Sequence, residues 1–147
     1  MKHKLIAIAT TLLLGAALSA DEIEGTWMNI DDETGVARSY IKIAVDETGT
    51  AYGQIIKLLN RKPTEDPDPV CTECKGAEAG KKVVGLVILK GLKKDGDEWK
   101  GGTILDPKNG KVYKCKIKAE NNGQTLRVRG FIGFSLLGRT QVWKKKQ

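Results

Sequence analysis

Three cysteines and a near-absence of histidine bound the chemistry this chain can do. Cys71 and Cys74 form a C-x-x-C in PVCTECKG, and Cys115 stands alone in VYKCKIK. A zinc site takes four ligands, mostly thiolates and imidazoles. Three thiols would need a carboxylate such as Glu73 or Asp68 as the fourth ligand, because the single histidine, His3, lies at the extreme N-terminus. A thioredoxin-type redox pair needs its first cysteine at a helix start in an α/β fold. The polar, proline-rich surroundings of Cys71 offer no such helix. In an oxidising compartment a staple is the default. Cys71–Cys74 is the expected pair, since it closes the shortest separation. Cys115 alternates with Tyr113 and Ile117 and reads as a buried thiol, unless the loop folds over it and draws it into a bridge with Cys71 or Cys74.

The other residue types exclude more than they offer. Without a histidine beyond residue 3, neither a Ser-His-Asp nor a Cys-His nucleophile pair can form, and no H-E-x-x-H zinc site exists. There is no G-x-x-x-x-G-K-[ST] and no G-x-G-x-x-G to cradle a nucleotide. Glu65, Asp66 and Asp68 lack the D-x-D-x-D-G spacing of a calcium loop. Asp106 is followed by Pro107, Asn109 and Gly110, which make it a turn residue. The expectation is a non-enzyme with no catalytic residues, no metal site and no cofactor.

The N-terminus supplies the compartment. Residues 1–20 read MKHKLIAIATTLLLGAALSA: lysines at 2 and 4, a short apolar run, then small residues. This is the layout of a secretory signal peptide, and the run is too short to span a bilayer comfortably. Cleavage would remove two lysines, no acids and His3, lowering the net charge from +7 to +5. Residues 21–147 then form one domain, exported to a periplasm or secreted, without a transmembrane anchor.

What must position the remaining side chains is an all-β scaffold. Runs rich in Val, Ile, Thr and aromatics fall at 25–29, 38–45, 51–59, 83–92, 98–105, 112–119, 125–131 and 139–145. They are separated by turn signals such as Asp-Glu-Thr-Gly, Asp-Gly and Asn-Asn-Gly. Eight short strands in hairpin order predict an antiparallel up-and-down barrel, with a two-sheet sandwich as the second reading; the barrel also removes exposed sheet edges. Residues 60–82 hold three of the four prolines and both close cysteines, an unusually long polar connection that must be functional or pinned.

Within this scaffold particular residues are familiar. Gly25-x-Trp27 resembles the G-x-W of lipocalins, whose tryptophan helps close the barrel floor beneath an arginine from the last strand. The resemblance implies that Arg139, in Leu137-Gly138-Arg139-Thr140, packs over Trp27 as a cation on an indole face. The motifs Trp99-x-Gly101-Gly102-x-Ile104-x-Asp106-Pro107-x-x-Gly110-Lys111-x-Tyr113, Arg129-Gly130-Phe131-x-Gly133 and Gly138-Arg139-Thr140-Gln141-x-Trp143 resemble those of an exported bacterial family, domain of unknown function 2147, itself lipocalin-like.

Two functional expectations follow. A lipocalin-like barrel holds one small ligand or is filled by its own side chains. Ile41, Ile43, Leu86, Ile88, Tyr113, Ile117, Leu126 and Val128 are the inward candidates to line a site for an apolar or amphipathic molecule. Alternatively, Lys114, Lys116 and Lys118 on one strand and Arg127 and Arg129 on the next share an outer face. Like charges side by side cost stability, which an anionic envelope component would repay. The 60–82 loop is a second such surface. Nucleic acid is not an expected partner, since no aromatic platform interleaves these charges.

Overall fold

A computed structural model describes residues 22–147. The expected leader, residues 1–20, lies outside them. Among the described residues there are eight strands: β1 (Gly25–Ile30), β2 (Ala37–Val45), β3 (Thr50–Leu58), β4 (Val87–Asp95), β5 (Glu98–Asp106), β6 (Lys111–Glu120), β7 (Thr125–Phe131) and β8 (Gly138–Lys145). Each pairs antiparallel with its sequence neighbour, and β1 also pairs with β8 through Trp27 opposite Lys145 and Met28 opposite Lys144. The sheet is a closed barrel in strict up-and-down order. Turn chemistry sets the hairpins. Asp46 Oδ1 accepts from the Thr48 and Thr50 amides at 2.9 and 3.0 Å. Asn121, Asn122 and Gly123 all take positive φ between β6 and β7, the left-handed region Asn and Gly tolerate.

The two ends of the barrel differ. Turns β2–β3, β4–β5 and β6–β7 lie at one end, where Ile23, Trp27, Leu92, Trp99, Leu126 and Trp143 are buried together. Three indoles fill a small barrel's cross-section and close it as a floor. The Trp27 Nε1–H donates to the Ile23 carbonyl at 2.8 Å, so the indole is buried without an orphaned donor. The connections β1–β2, β3–β4, β5–β6 and β7–β8 lie at the other end, which stays open.

The fourth expected strand begins late. Residues 83–86 enter the barrel as irregular chain, and β4 starts at Val87. Gly85 turns there with φ +103°, its amide donating to Ile55 O at 2.7 Å while the Ile55 amide donates to Leu86 O at 3.0 Å.

The long connection is pinned along its length. Cys71 and Cys74 are joined, with Cα atoms 5.4 Å apart, and Cys115 is free and buried inside the barrel. Val70 pairs antiparallel with Lys82. The Cys71 amide donates to Lys81 O at 2.7 Å, and the Val83 amide to Pro69 O at 2.9 Å. Glu78, at the end of a short 3-10 turn (Gly76–Glu78), holds Lys81 and Lys90 at 3.2 and 2.7 Å. The stapled turn rests on the β5–β6 hairpin. A Cβ at Gly110 would collide with the Glu73 carbonyl, and Gly110 has φ +70°. Glycine is required there on both counts.

Candidate ligand cavity and its rim

The open end leads into a cavity of about 770 Å³, within the range that holds a small ligand. Its apolar wall includes Ile55, Ile88, Ile104, Leu105 and Val128. The opposite wall is polar and comes from β1, β2 and β8. Asn29 faces Ser39 across the β1–β2 ladder, one inward step above the Trp27–Ile41 pair that begins the floor. Gln141 Oε1 accepts from Trp143 Nε1 and from Asn29 Nδ2, both at 3.0 Å. Its amide nitrogen donates to Asp32 Oδ1 at 3.3 Å. The buried indole of the floor is thereby linked to the charged rim.

At the rim Asp31 is buried but well partnered. It accepts from the Thr34 and Glu33 amides at 2.9 and 3.0 Å and from the Thr34 hydroxyl at 3.1 Å. Arg38 Nε and Lys108 Nζ approach its other oxygen at 4.0 and 3.6 Å. The Thr34 amide bond, chiefly, holds the Asp31 carboxyl down at about 2 against desolvation, which pushes the other way. Arg38 Nε is buried and finds no hydrogen-bond acceptor among the described residues. Arg139 grips Asp32 at 2.6 and 2.8 Å, lowering the Asp32 pKa and raising its own.

The structure divides the expected interior residues. Ile88, Tyr113 and Val128 line the cavity. Ile41, Ile43, Ile117 and Leu126 are packed into the buried core below it. Leu86 precedes β4 and lies under the stapled loop, against a separate recess with Tyr52, Glu78 and Lys90. The polar wall of Asn29, Arg38, Ser39 and Gln141 was not anticipated. A signal was present in the sequence, since Ser39 alternates in register with Ile41 and Ile43.

The expected contact between Arg139 and Trp27 is corrected. Trp27 pairs with Lys145, while Arg139 pairs with Gly130 near the open end. Six residues of β8 separate the two positions, about 20 Å of strand. An arginine that opens β8 cannot reach a tryptophan near the start of the antiparallel β1. Lys145 takes its place, with Nζ 5.5 Å from the Trp27 ring centroid. Gly25 does sit beside the floor, opposite Ile43.

The basic outer face exists in register, with Lys116 opposite Arg129 and Lys118 opposite Arg127. Most of it is partnered within the chain. Lys118 pairs with Asp97 at 3.1 Å and Arg127 with Glu120 at 2.9 Å. Arg129 donates to the Ser135 and Leu136 carbonyls and the Thr140 hydroxyl. Lys114 and Lys116 have no carboxylate within 4.0 Å among the described residues.

Cys115, on the inward face of β6, is pushed up to about 12 by burial, which leaves it a neutral, inert thiol. Among the described residues no group of three or more His, Cys, Asp or Glu side chains is arranged to hold a metal, and no helix is long and apolar enough to cross a membrane.

A solved structure described as "Protein HP1028 from the human pathogen Helicobacter pylori belongs to the lipocalin family" superposes with a TM-score of 0.70 at 18% identity. It covers 84% of this chain and 82% of that one. At that identity the likeness establishes the fold, an eight-stranded lipocalin-like barrel. No curated protein matches the chain. Residues 25–145, from the Gly25 of β1 to the Lys145 over Trp27, match the family described as "Uncharacterized protein conserved in bacteria (DUF2147)", and the chain belongs to that family.

Proposed function

We propose that the protein is an exported carrier or sensor that holds one small amphipathic molecule in the barrel. The observation that carries this reading is the cavity itself: about 770 Å³, open at one end of the barrel, with the three tryptophans buried toward the other. A barrel meant only to be filled would not leave such a space, because interiors pack closely. The wall chemistry selects the ligand class. An apolar portion fits against Ile55, Ile88 and Val128. A polar, preferentially anionic portion fits beside Arg38, whose buried Nε has no acceptor among the described residues. The staple and the leader-like N-terminus agree with export. Interaction through the basic outer face has less support, since Lys118, Arg127 and Arg129 are already engaged.

The test uses anilinonaphthalene sulfonate, an anionic amphiphile that fluoresces on leaving water. The native protein should bind it saturably. Val128→Trp, which fills the cavity, should abolish saturable binding. Arg38→Met should weaken it by about tenfold, the loss of one charge-assisted bond. Equal binding by all three proteins would overturn the reading.

A further inference from the structure

We propose that the β7–β8 loop is a membrane-docking tip that seats the mouth of the barrel on an anionic bilayer surface. The loop reads Phe131-Ile132-Gly133-Phe134-Ser135-Leu136-Leu137-Gly138. Ile132, Phe134, Leu136 and Leu137 are 66, 76, 89 and 68% exposed. Single exposed apolar residues are ordinary, but four on one hairpin tip form a patch that marks an interaction site.

The backbone beneath these side chains is what points to lipid. Peptide groups carried below the hydrated headgroups must be satisfied within the segment, because the hydrocarbon holds no water. Here four carbonyls of the tip, those of residues 134–137, are satisfied from within. Phe134 O accepts from the Leu137 amide at 2.9 Å, and Leu137 O from the Ile132 amide at 3.2 Å. Ser135 O accepts from Arg129 Nε and Leu136 O from Arg129 Nη2, the latter at 3.3 Å. The guanidinium is itself held by Thr140 Oγ1 at 2.7 Å. Arg129 thus caps the two carbonyls at the turn and fixes a positive charge behind the apolar tip.

Charge on the neighbouring strand favours an anionic surface. Lys114 stands opposite Phe131 across the β6–β7 ladder and is exposed. Neither Lys111 nor Lys114 has a carboxylate within 4.0 Å among the described residues, while exposed Val112 lies between them. Of the carboxylates at the same rim, Asp31, Asp32 and Glu33 face Arg38, Lys108 and Arg139, Glu65 pairs with Arg61 at 3.4 Å, and Asp106 stands opposite Lys111 across the β5–β6 ladder. Apolar insertion plus nearby lysines is the combination that holds a protein at a negatively charged interface. The loop borders the cavity through Phe131, Ile132 and Leu137, so docking would place the mouth against the headgroups. The docking does not depend on the cavity having a ligand.

The experiment is co-sedimentation with vesicles of phosphatidylglycerol and phosphatidylcholine, beside phosphatidylcholine alone. The native protein should sediment with the mixed vesicles at low salt and be released as salt rises. Phe134→Ser and Leu136→Ser should each weaken the partition by about tenfold, from lost apolar burial. Lys111→Gln with Lys114→Gln should remove the preference for the anionic vesicles. Phe134→Trp supplies an optical readout: Trp27, Trp99 and Trp143 are buried, so a blue shift on adding vesicles reports the tip alone. Near-native circular dichroism of each variant separates loss of docking from loss of fold. The proposal is overturned if native protein stays in the supernatant, or if the serine variants sediment as well as native. It is also overturned if the tip instead mediates a concentration-dependent dimer that Leu136→Ser dissolves.

Discussion

Replacing Gln141 by Leu should cost about 2 kcal/mol of stability, most of it through one buried indole. Gln141 Oε1 accepts from Trp143 Nε1 and Asn29 Nδ2, each at 3.0 Å. Trp143 is fully buried in the floor, so an apolar residue at 141 leaves its N–H without acceptor or water. An unsatisfied buried donor costs about 1–3 kcal/mol. Asn29 faces the cavity and can recruit water, so its loss adds little. For a domain of this size about 2 kcal/mol lowers Tm by roughly 6–10 °C. A double-mutant cycle isolates the bond. Trp143→Phe removes the donor and leaves a gap of its own, but Gln141→Leu in that background has no N–H left to orphan. It should therefore cost at least about 1 kcal/mol less than in the native background. Urea unfolding followed by circular dichroism measures all four proteins, since the fluorescence of the remaining indoles changes with the mutations. Equal costs of Gln141→Leu in both backgrounds would refute the claim that the bond, rather than side-chain packing, holds the floor to the polar wall.

Asp31→Asn should destabilise the protein at neutral pH, and the gap between variant and native should narrow in acid. The native carboxyl is held near 2 by the Thr34 amide and its neighbours, so its contribution is full above the ordinary carboxylate range and fades as pH falls toward 2. A gap that stays constant from pH 6 to pH 2 would count against the ionised form. Gly110→Ala forces a φ of +70° on a residue with a Cβ and drives that Cβ into Glu73. It should cost about 2 kcal/mol or more and open the 59–86 connection to proteolysis, which limited digestion reads directly. Iodoacetamide at pH 8 should leave Cys115 unmodified in the native protein and alkylate it fully in denaturant. Rapid native labelling would mean that the thiol is not shut inside the barrel.

The strands were legible because their signals are local. Asp-Glu-Thr-Gly after Val45 and Asn-Asn-Gly after Glu120 mark turns by residue type, and alternation through Ile41, Ile43 and Val45 marks the inward face. The pair Cys71–Cys74 was legible for a similar reason, through separation and the strand position of Cys115. Arg139 shows the limit. Its place at the start of β8 was legible, but that does not say at which end of the barrel it lies relative to Trp27. That follows from counting along an antiparallel pair, and Trp27 meets Lys145. The β4 start failed on a different ground. Val83 and Val84 are as apolar as Val87 and Ile88, and only the turn at Gly85, with its bonds to Ile55, interrupts the strand.

The cavity depends on a property that no single strand carries. Ile41, Ile117 and Leu126 are inward like Ile88 and Val128, yet only the latter two face open space. Around the floor the ring of inward residues includes Trp27, Trp99 and Trp143, all buried in the one core cluster. Around the upper ring the corresponding positions are Asn29, Ser39, Gly130 and Gln141, too small or too polar to fill it. Side-chain volume summed over one level of the barrel therefore decides between core and cavity. That sum requires knowing which residues from eight separate strands share a level. The register supplies the neighbours, Asn29 with Ser39 and Val128 with Gln141. Strand tilt carries each row along the barrel axis, so that Ile117 lies in the core although it stands opposite Val128. The same register sets the polar wall against the apolar one and puts Arg38 at the rim. A ligand's two chemistries are thus matched by residues whose separation along the chain hides their common height.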